Sequence, residues 1–415
     1  MKIELEKILV VFVETAETDL NYDLDELNRL IETANGQVVD VVVQKRATID
    51  NLCAVGTGKL IEIAELVAEI GVETVIFNCP LDAVQRRKIE DTLNCRVLDR
   101  IDLVLDIFAL HAKTGEGKKQ VELAQLRYGY ATKPKNVEYT RQGGGIGTRG
   151  PGETKLETDK RVVRDKITRL KRELEELQRN RDVARQKRAK NNMFCIALVG
   201  YTNAGKSTLF NKLTNAGIYA DDKLFATLDT TTRKLELADL GIEILISDTV
   251  GFIKNLPHGL IEAFKSTLDE VVNADLILNV CDFSDKNVDN HIQVTESLLQ
   301  EMKVTAPIIR VYNKIDADDG FFTQDFCEEF AFVSAKTGKN VDLLVEKIKS
   351  YVLNRYKYAT YSCPYEQYNQ FVKVANSYAV KIVDTKFEET CTIEILVDVR
   401  FVDVFNKQFE LVKIR

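Results

Sequence analysis

The chain has 415 residues, 45% hydrophobic and 29% charged, which is material for roughly two to four domains with cores of their own. Its longest early apolar run, Ile8–Val13, is too short for a signal-peptide core or a bilayer span, so the expectation is a cytoplasmic protein with no membrane span. The eight cysteines form no C-x-x-C pair and the three histidines are far apart, which argues against a Cys- or His-built metal site and for reduced core thiols. The net charge of −7 is unevenly spread: residues 127–190 carry 19 Lys/Arg against 9 Asp/Glu, a local +10 that leaves −17 for the rest. A basic block inside an acidic chain is a lead on nucleic acid, although a solvated charged helix has the same composition.

Residues 1–100 alternate short apolar runs with amphipathic stretches. Ile8–Val13, Val38–Val43, Thr74–Phe77 and Arg96–Leu98 read as strands, and Leu24–Ala34, Lys59–Ile70 and Ala83–Leu93 as helices. That alternation predicts a small, mostly parallel α/β domain. Residues 101–190 read as an antiparallel helical hairpin. A helical stretch around Val121–Tyr130 leads into a glycine-rich segment, Gly143–Gly152, and then a long helix from about Leu156 to Lys190. On that helix Val163, Ile167, Leu170, Leu174 and Leu177 alternate spacings of four and three, the pattern of a coiled-coil seam. The glycines form the tip loop, where Arg141 and Arg149 are candidates for RNA contacts, since arginine both pairs with phosphates and stacks on bases. Residues 191–355 begin a second α/β region of mixed sheet, and residues 356–415, with a helical stretch Glu366–Val380 and an alternating run Thr392–Val399, read as a small α+β domain.

Chemistry concentrates in the second α/β region. Gly200-Tyr201-Thr202-Asn203-Ala204-Gly205-Lys206-Ser207 fits G-x-x-x-x-G-K-[ST] between an apolar strand and a helix. The glycines let successive N–H groups face phosphates at a helix N-terminus. Lys206 supplies a point charge to the β- and γ-phosphates, and the Ser207 hydroxyl is a Mg²⁺ ligand. Val55-Gly-Thr-Gly-Lys59 lacks the glycine interval and the hydroxyl; it reads as a tight loop or helix N-cap, with a phosphate contact to RNA as the alternative.

Three further segments turn a P-loop NTPase into a GTPase. Asp248-Thr249-Val250-Gly251 closes the run Ile242–Ile246, placing Asp248 in the second shell of Mg²⁺ and the Gly251 N–H where it senses the γ-phosphate. In Asn313-Lys314-Ile315-Asp316 the Asp316 carboxylate accepts from the N1–H and exocyclic amine of guanine, donors absent from that edge of adenine. Ser334-Ala335-Lys336 brings the Ala335 N–H toward guanine O6. Within Phe225-Ala226-Thr227-Leu228-Asp229-Thr-Thr-Thr232 four threonines are candidates for the second Mg²⁺ ligand and γ-phosphate sensor, of which Thr227 is favoured. Phe252 stands where Ras-like enzymes carry the water-orienting glutamine, so hydrolysis should be slow until a partner stimulates it. The motifs thus predict a Mg²⁺-dependent P-loop GTP hydrolase cycling between GTP and GDP, with Lys206, Thr227 and Gly251 acting at the γ-phosphate.

Beyond these general motifs, the chain resembles the HflX family of ribosome-associated GTPases. The resemblance rests on Gln142–Glu157, Leu105–Ala109 and Glu116–Tyr128, together with Gly200–Ser207, Phe225–Asp229 and Asp248–Ile253; the Phe225–Asp229 match settles Thr227. It is strong from about Val55 to Lys339, and it departs at Thr230, where the family often has proline. It implies a protein, monomeric off the ribosome, whose N-terminal domain and hairpin contact ribosomal RNA of the large (50S) subunit. In the GTP state such proteins promote dissociation of stalled or idle ribosomes, and the subunit stimulates hydrolysis. A GTP-dependent assembly factor for the large subunit is the alternative. Asn203 resembles the asparagine of potassium-dependent GTPases, which implies a K⁺ held against the phosphates, with plain loop geometry as the alternative.

Overall fold

The structure is a computed structural model. It describes residues 5–16, 18–132, 155–190, 193–214, 224–225, 227–228, 230–254, 265–317, 330–378 and 380–414. The expected tip loop with Arg141 and Arg149 lies outside these residues, as do Ala226 and Asp229. The chain divides into two compact units: Met1–Leu177 with Asp221–Asp229 and Asn255–Lys265, and Gln178–Ala220 with Thr230–Lys254 and Ser266–Arg415.

In the first unit, β1 (Glu6–Glu14), β2 (Gly36–Lys45), β3 (Thr74–Phe77) and β4 (Arg96–Asp99) form a sheet in the order β2-β1-β3-β4. Every neighbouring pair is parallel, as the alternation with α1 (Leu20–Thr33), α2 (Thr57–Ile70) and α3 (Ala83–Leu93) requires. Ile8–Val13 of the central β1 is buried on both faces, which explains its unbroken apolar run. Gly56 caps α2, so the Val55–Lys59 segment opens a helix rather than a phosphate loop. Asn78 closes the sheet's carboxyl edge, its side chain accepting from Val13 N and donating to Val13 O.

Beyond β4, α4 (Arg100–His111) starts at Asp99, whose carboxylate caps the Ile101 and Asp102 N–H groups. Asp99 also accepts from the buried Arg86 (2.9 Å) and from the Tyr128 hydroxyl (2.5 Å), while Asp102 lies 2.6 Å from Arg86. Burial and the nearby Asp102 push the Asp99 carboxyl above its ordinary range.

The expected hairpin is formed by α5 (Gly115–Thr132) and α6 (Lys155–Lys190). The antiparallel sense is visible in three cross-contacts that run in opposite order along the two helices: Lys119–Glu173, Glu122–Lys166 and Tyr130–Arg164. Val163 and Leu170 of the seam are buried, with Ile167, Leu174 and Leu177 half-buried.

The second unit holds two sheets. The larger contains β5 (Cys195–Val199), β6 (Thr231–Leu237), β7 (Ile242–Asp248), β8 (Leu276–Asp282), β9 (Ile308–Asn313) and β10 (Phe330–Phe332), ordered β10-β9-β8-β5-β7-β6. Only the β6–β7 pair is antiparallel. Around it lie α7 (Lys206–Thr214), α8 (Lys265–Val272), α9 (Val288–Glu301) and α10 (Val341–Arg355). The smaller sheet is antiparallel: β11 (Tyr356–Cys363), β12 (Lys381–Phe387), β13 (Cys391–Asp398) and β14 (Glu410–Ile414) in the order β12-β13-β11-β14. With α11 (Tyr368–Ser377) and α12 (Val402–Asn406) it encloses an aromatic core that includes Tyr361, Phe371 and Phe405.

The two sheets of this unit share packing. Helix α10 passes directly into β11, and Tyr356 and Leu396 belong to the core of the larger sheet. Arg355 at the joint reaches both Asp275 and Asp398 at 2.5 Å.

Candidate nucleotide site

Strands β5, β7 and β9 run parallel and end at Val199, Asp248 and Asn313, so each nucleotide motif begins where its strand stops, along one carboxyl edge. That is where α/β sheets bind ligands.

The loop Gly200–Gly205 is shaped by positive φ angles at Gly200 (142°), Asn203 (59°) and Gly205 (89°). A Cβ at Gly200 would lie 2.1 Å from Val280 O, and one at Gly205 2.2 Å from Asn313 Nδ2, so neither position admits a side chain. Asparagine tolerates the left-handed region, which gives Asn203 a backbone reason to be present. Lys206 is buried, and its Nζ donates to the carbonyls of Gly200 (3.1 Å) and Tyr201 (2.7 Å). Burial pulls the ammonium down to about 8, with Asp248 opposing the shift. A desolvated cation held by neutral carbonyls gains by meeting an anion.

The next residue, the expected cation ligand Ser207, is joined to the carboxylate expected behind it: Ser207 Oγ donates to Asp248 Oδ2 at 2.6 Å. Buried Thr249 anchors the start of the following segment by donating to Leu198 O (2.6 Å). Val250 is also buried, and Gly251 packs so closely that its Cβ would meet Thr202 Cα at 2.9 Å and Lys206 Nζ at 3.0 Å. Phe252 is buried and pairs with the P-loop backbone, its N–H donating to Gly200 O and its carbonyl accepting from Thr202 N. A phenyl ring in that position orients no water.

Asn313 ties the P-loop to the Ser334–Lys336 segment. Its Nδ2 donates to Ala204 O and its Oδ1 accepts from Ala335 N, both at 2.9 Å. Here the structure departs from the expectation that Ala335 N–H faces guanine O6, because Asn313 engages that donor and Ala335 is buried. Asp316 is exposed and accepts from Ser334 Oγ at 2.5 Å. That hydrogen bond holds its carboxyl below the ordinary value, so it stays an ionised acceptor. Lys314 (φ 65°) pairs with Asp282 at 2.7 Å, Ile315 is buried and Lys336 exposed. Leu224, Phe225, Thr227 and Leu228 are part of the first unit, where Phe225 packs edge-on against Phe108 at 4.7 Å.

Contacts that no sequence pattern signals also shape the site. Asp282 reaches Lys314 from the neighbouring strand, and the Tyr201 ring stacks on His291 (centroids 3.8 Å, planes 11° apart) while its hydroxyl accepts from Lys254 N at 2.9 Å. Among the described residues no group of His, Cys, Asp and Glu is placed to hold a metal, and no helix is long and apolar enough to cross a membrane.

Three family models match consecutive stretches: GTP-binding GTPase N-terminal at residues 21–109, GTP-binding GTPase Middle Region at 111–188, and 50S ribosome-binding GTPase at 195–314. The chain is 47% identical over 358 residues to GTPase HflX of Lacrimispora saccharolytica, covering 85% of this chain and 84% of that one. The chain belongs to the HflX family of GTPases. GTPase HflX of Escherichia coli is 43% identical over 349 residues, covering 82% and 81%. A solved structure described as a crystal structure of SsGBP and GDP complex is 26% identical and covers 83% of this chain and 98% of its own, with a TM-score of 0.47. By that membership the chain is a GTP-binding hydrolase.

Proposed function

We propose that this GTPase binds the large ribosomal subunit and, in its GTP state, promotes dissociation of stalled or idle ribosomes, the subunit in turn stimulating hydrolysis. The observation that carries the proposal is the α5–α6 hairpin. Cross-helix ion pairs stitch its two arms, while Arg161, Arg169, Lys171, Arg172 and Arg179 stand exposed along α6. Such a rod meets RNA phosphates at many points, with affinity that falls steeply with salt. The match to a model of 50S ribosome-binding GTPases supports the same partner. A buried phenyl at position 252 fits an enzyme that waits for an activator, acting in the cytoplasm and monomeric between encounters.

At the site, the buried amine of Lys206 and the side-chain-free turns at Gly200 and Gly205 suit the phosphates of GTP or GDP. The Ser207 hydroxyl and Asp248 carboxylate are hard oxygen donors suited to Mg²⁺, with Ser207 and Thr227 as direct ligands and Asp248 behind them. When bound, Mg²⁺ neutralises charge on the β- and γ-phosphate oxygens. Lys206 then orients the phosphates, Thr227 and the Gly251 N–H report the terminal one, and Asp316 selects guanine. Asn203 is assigned a K⁺ at the phosphates; equal subunit-stimulated hydrolysis in Na⁺ and K⁺ would remove that assignment.

The test mixes the protein and a non-hydrolysable GTP analogue with 70S ribosomes and resolves the particles on a gradient. Conversion to separate subunits is expected. Intact 70S at saturating protein overturns the proposal and leaves the assembly-factor reading.

A further inference from the structure

Tyr201 touches both halves of the catalytic apparatus. Its carbonyl accepts from Lys206 Nζ at 2.7 Å, and its hydroxyl accepts from Lys254 N at 2.9 Å, three residues past Gly251. Between those two points the backbone is laddered: Phe252 N–H donates to Gly200 O (3.0 Å) and Thr202 N–H to Phe252 O (2.9 Å). The Tyr201 ring has little freedom, being 5% exposed and stacked flat on His291 of α9, itself 7% exposed. Its phenolic oxygen is therefore a fixed acceptor for a backbone N–H in the segment that senses the γ-phosphate. Holding the segment there has a steric consequence. A Cβ at Gly251 would lie 3.0 Å from Lys206 Nζ, so Gly251 sits beside that amine with no room for a side chain between them. Under the nucleotide-site reading above, a γ-phosphate seated between Lys206 and the Gly251 N–H would need the 251–254 segment to give way at the expense of the Tyr201–Lys254 bond, and GDP carries no such group.

We infer that Tyr201 is a positioning residue that latches the Gly251–Lys254 segment onto the P-loop and thereby biases the enzyme toward GDP. The inference rests on the nucleotide-site reading above and assigns it a regulating side chain. Removing the latch acceptor shifts the ratio of affinities toward the triphosphate by about threefold to tenfold, the equilibrium worth of one neutral hydrogen bond. A merely structural residue would weaken both nucleotides together.

The experiment measures binding of GDP and of a non-hydrolysable GTP analogue to the full chain in three forms: wild type, Tyr201→Phe and Lys254→Pro. Tyr201→Phe keeps the ring on His291 and loses only the acceptor; Lys254→Pro removes the donor from the other side. Both variants are expected to shift the analogue-to-GDP affinity ratio upward by a similar factor, with the double variant no further shifted than either. An unchanged ratio in Tyr201→Phe, or a shift toward GDP, overturns the latch while leaving the nucleotide site intact. Failure of the wild type to bind either nucleotide overturns both.

Discussion

Replacing Asn313 by alanine separates two roles that the same side chain could play, contact with the base and internal bracing. Asn313 is 2% exposed, and its two hydrogen bonds, to Ala204 O and from Ala335 N, are both 2.9 Å long. Truncation leaves a carbonyl and an N–H without their partner in a dry pocket. Each orphaned buried group costs about 1–3 kcal/mol, so the pair amounts to about 2–6 kcal/mol. The cost falls on the protein before any nucleotide arrives. Guanidinium unfolding of nucleotide-free protein, followed by circular dichroism, should move to lower denaturant. Because the phosphate and base halves no longer hold each other, GDP and inosine diphosphate should weaken by similar factors. The chain has no tryptophan, so a mant-labelled nucleotide reports binding against tyrosine fluorescence alone. Unchanged stability of the free variant combined with a loss confined to GDP would refute the bracing argument.

Three other outcomes follow from the same geometry. Asp316→Asn should cost GDP about 3–5 kcal/mol, from two hydrogen bonds to a charged group, and should transfer preference to xanthosine diphosphate in a competition assay; retained guanine preference contradicts the assignment. Arg86→Leu should destabilise the first unit by about 3–5 kcal/mol, since it strands two buried carboxylates. The Asp99 carboxyl already sits above its ordinary value, and without Arg86 it rises further. A raised folded value means stability present at low pH and lost as pH rises through it, so the variant's deficit should shrink as the pH is lowered from 8 toward 5; a deficit that grows instead counts against this account. Cys79 and Cys281 are buried with thiols pushed up to about 12, so peptide mapping after iodoacetamide at pH 8 should find both unlabelled in native protein and labelled in guanidinium.

Much of this molecule was legible in its residues because the legible features are local. A P-loop is eight consecutive residues, and an apolar run such as Ile8–Val13 predicts its own burial. The seam of α6 was equally readable, since a helix repeats its contacts every three or four positions. What escaped was tertiary. Nothing in the sequence indicates that Asn313 spends its Oδ1 on Ala335 N–H, that Ser334 holds Asp316, or that Tyr201 meets His291 ninety residues on. Strand β11 was hidden for a different reason: Tyr356–Cys363 alternates apolar and polar residues directly after a helix with no glycine or proline at the join. What marks the boundary is tertiary, Arg355 being gripped there from two sides.

That join limits how the protein can be cut for study. A fragment ending at Arg355 keeps every nucleotide motif and looks, by motif map, like a complete enzyme. It nevertheless deletes Tyr356 and Leu396 from the interior of the larger sheet, strips Arg355 of Asp398, and removes the Lys381 ammonium that donates to Leu240 O at 2.9 Å. A nucleotide-binding piece suited to crystallography or screening should therefore keep the smaller sheet, and an insoluble shorter one says nothing about the chemistry of its site.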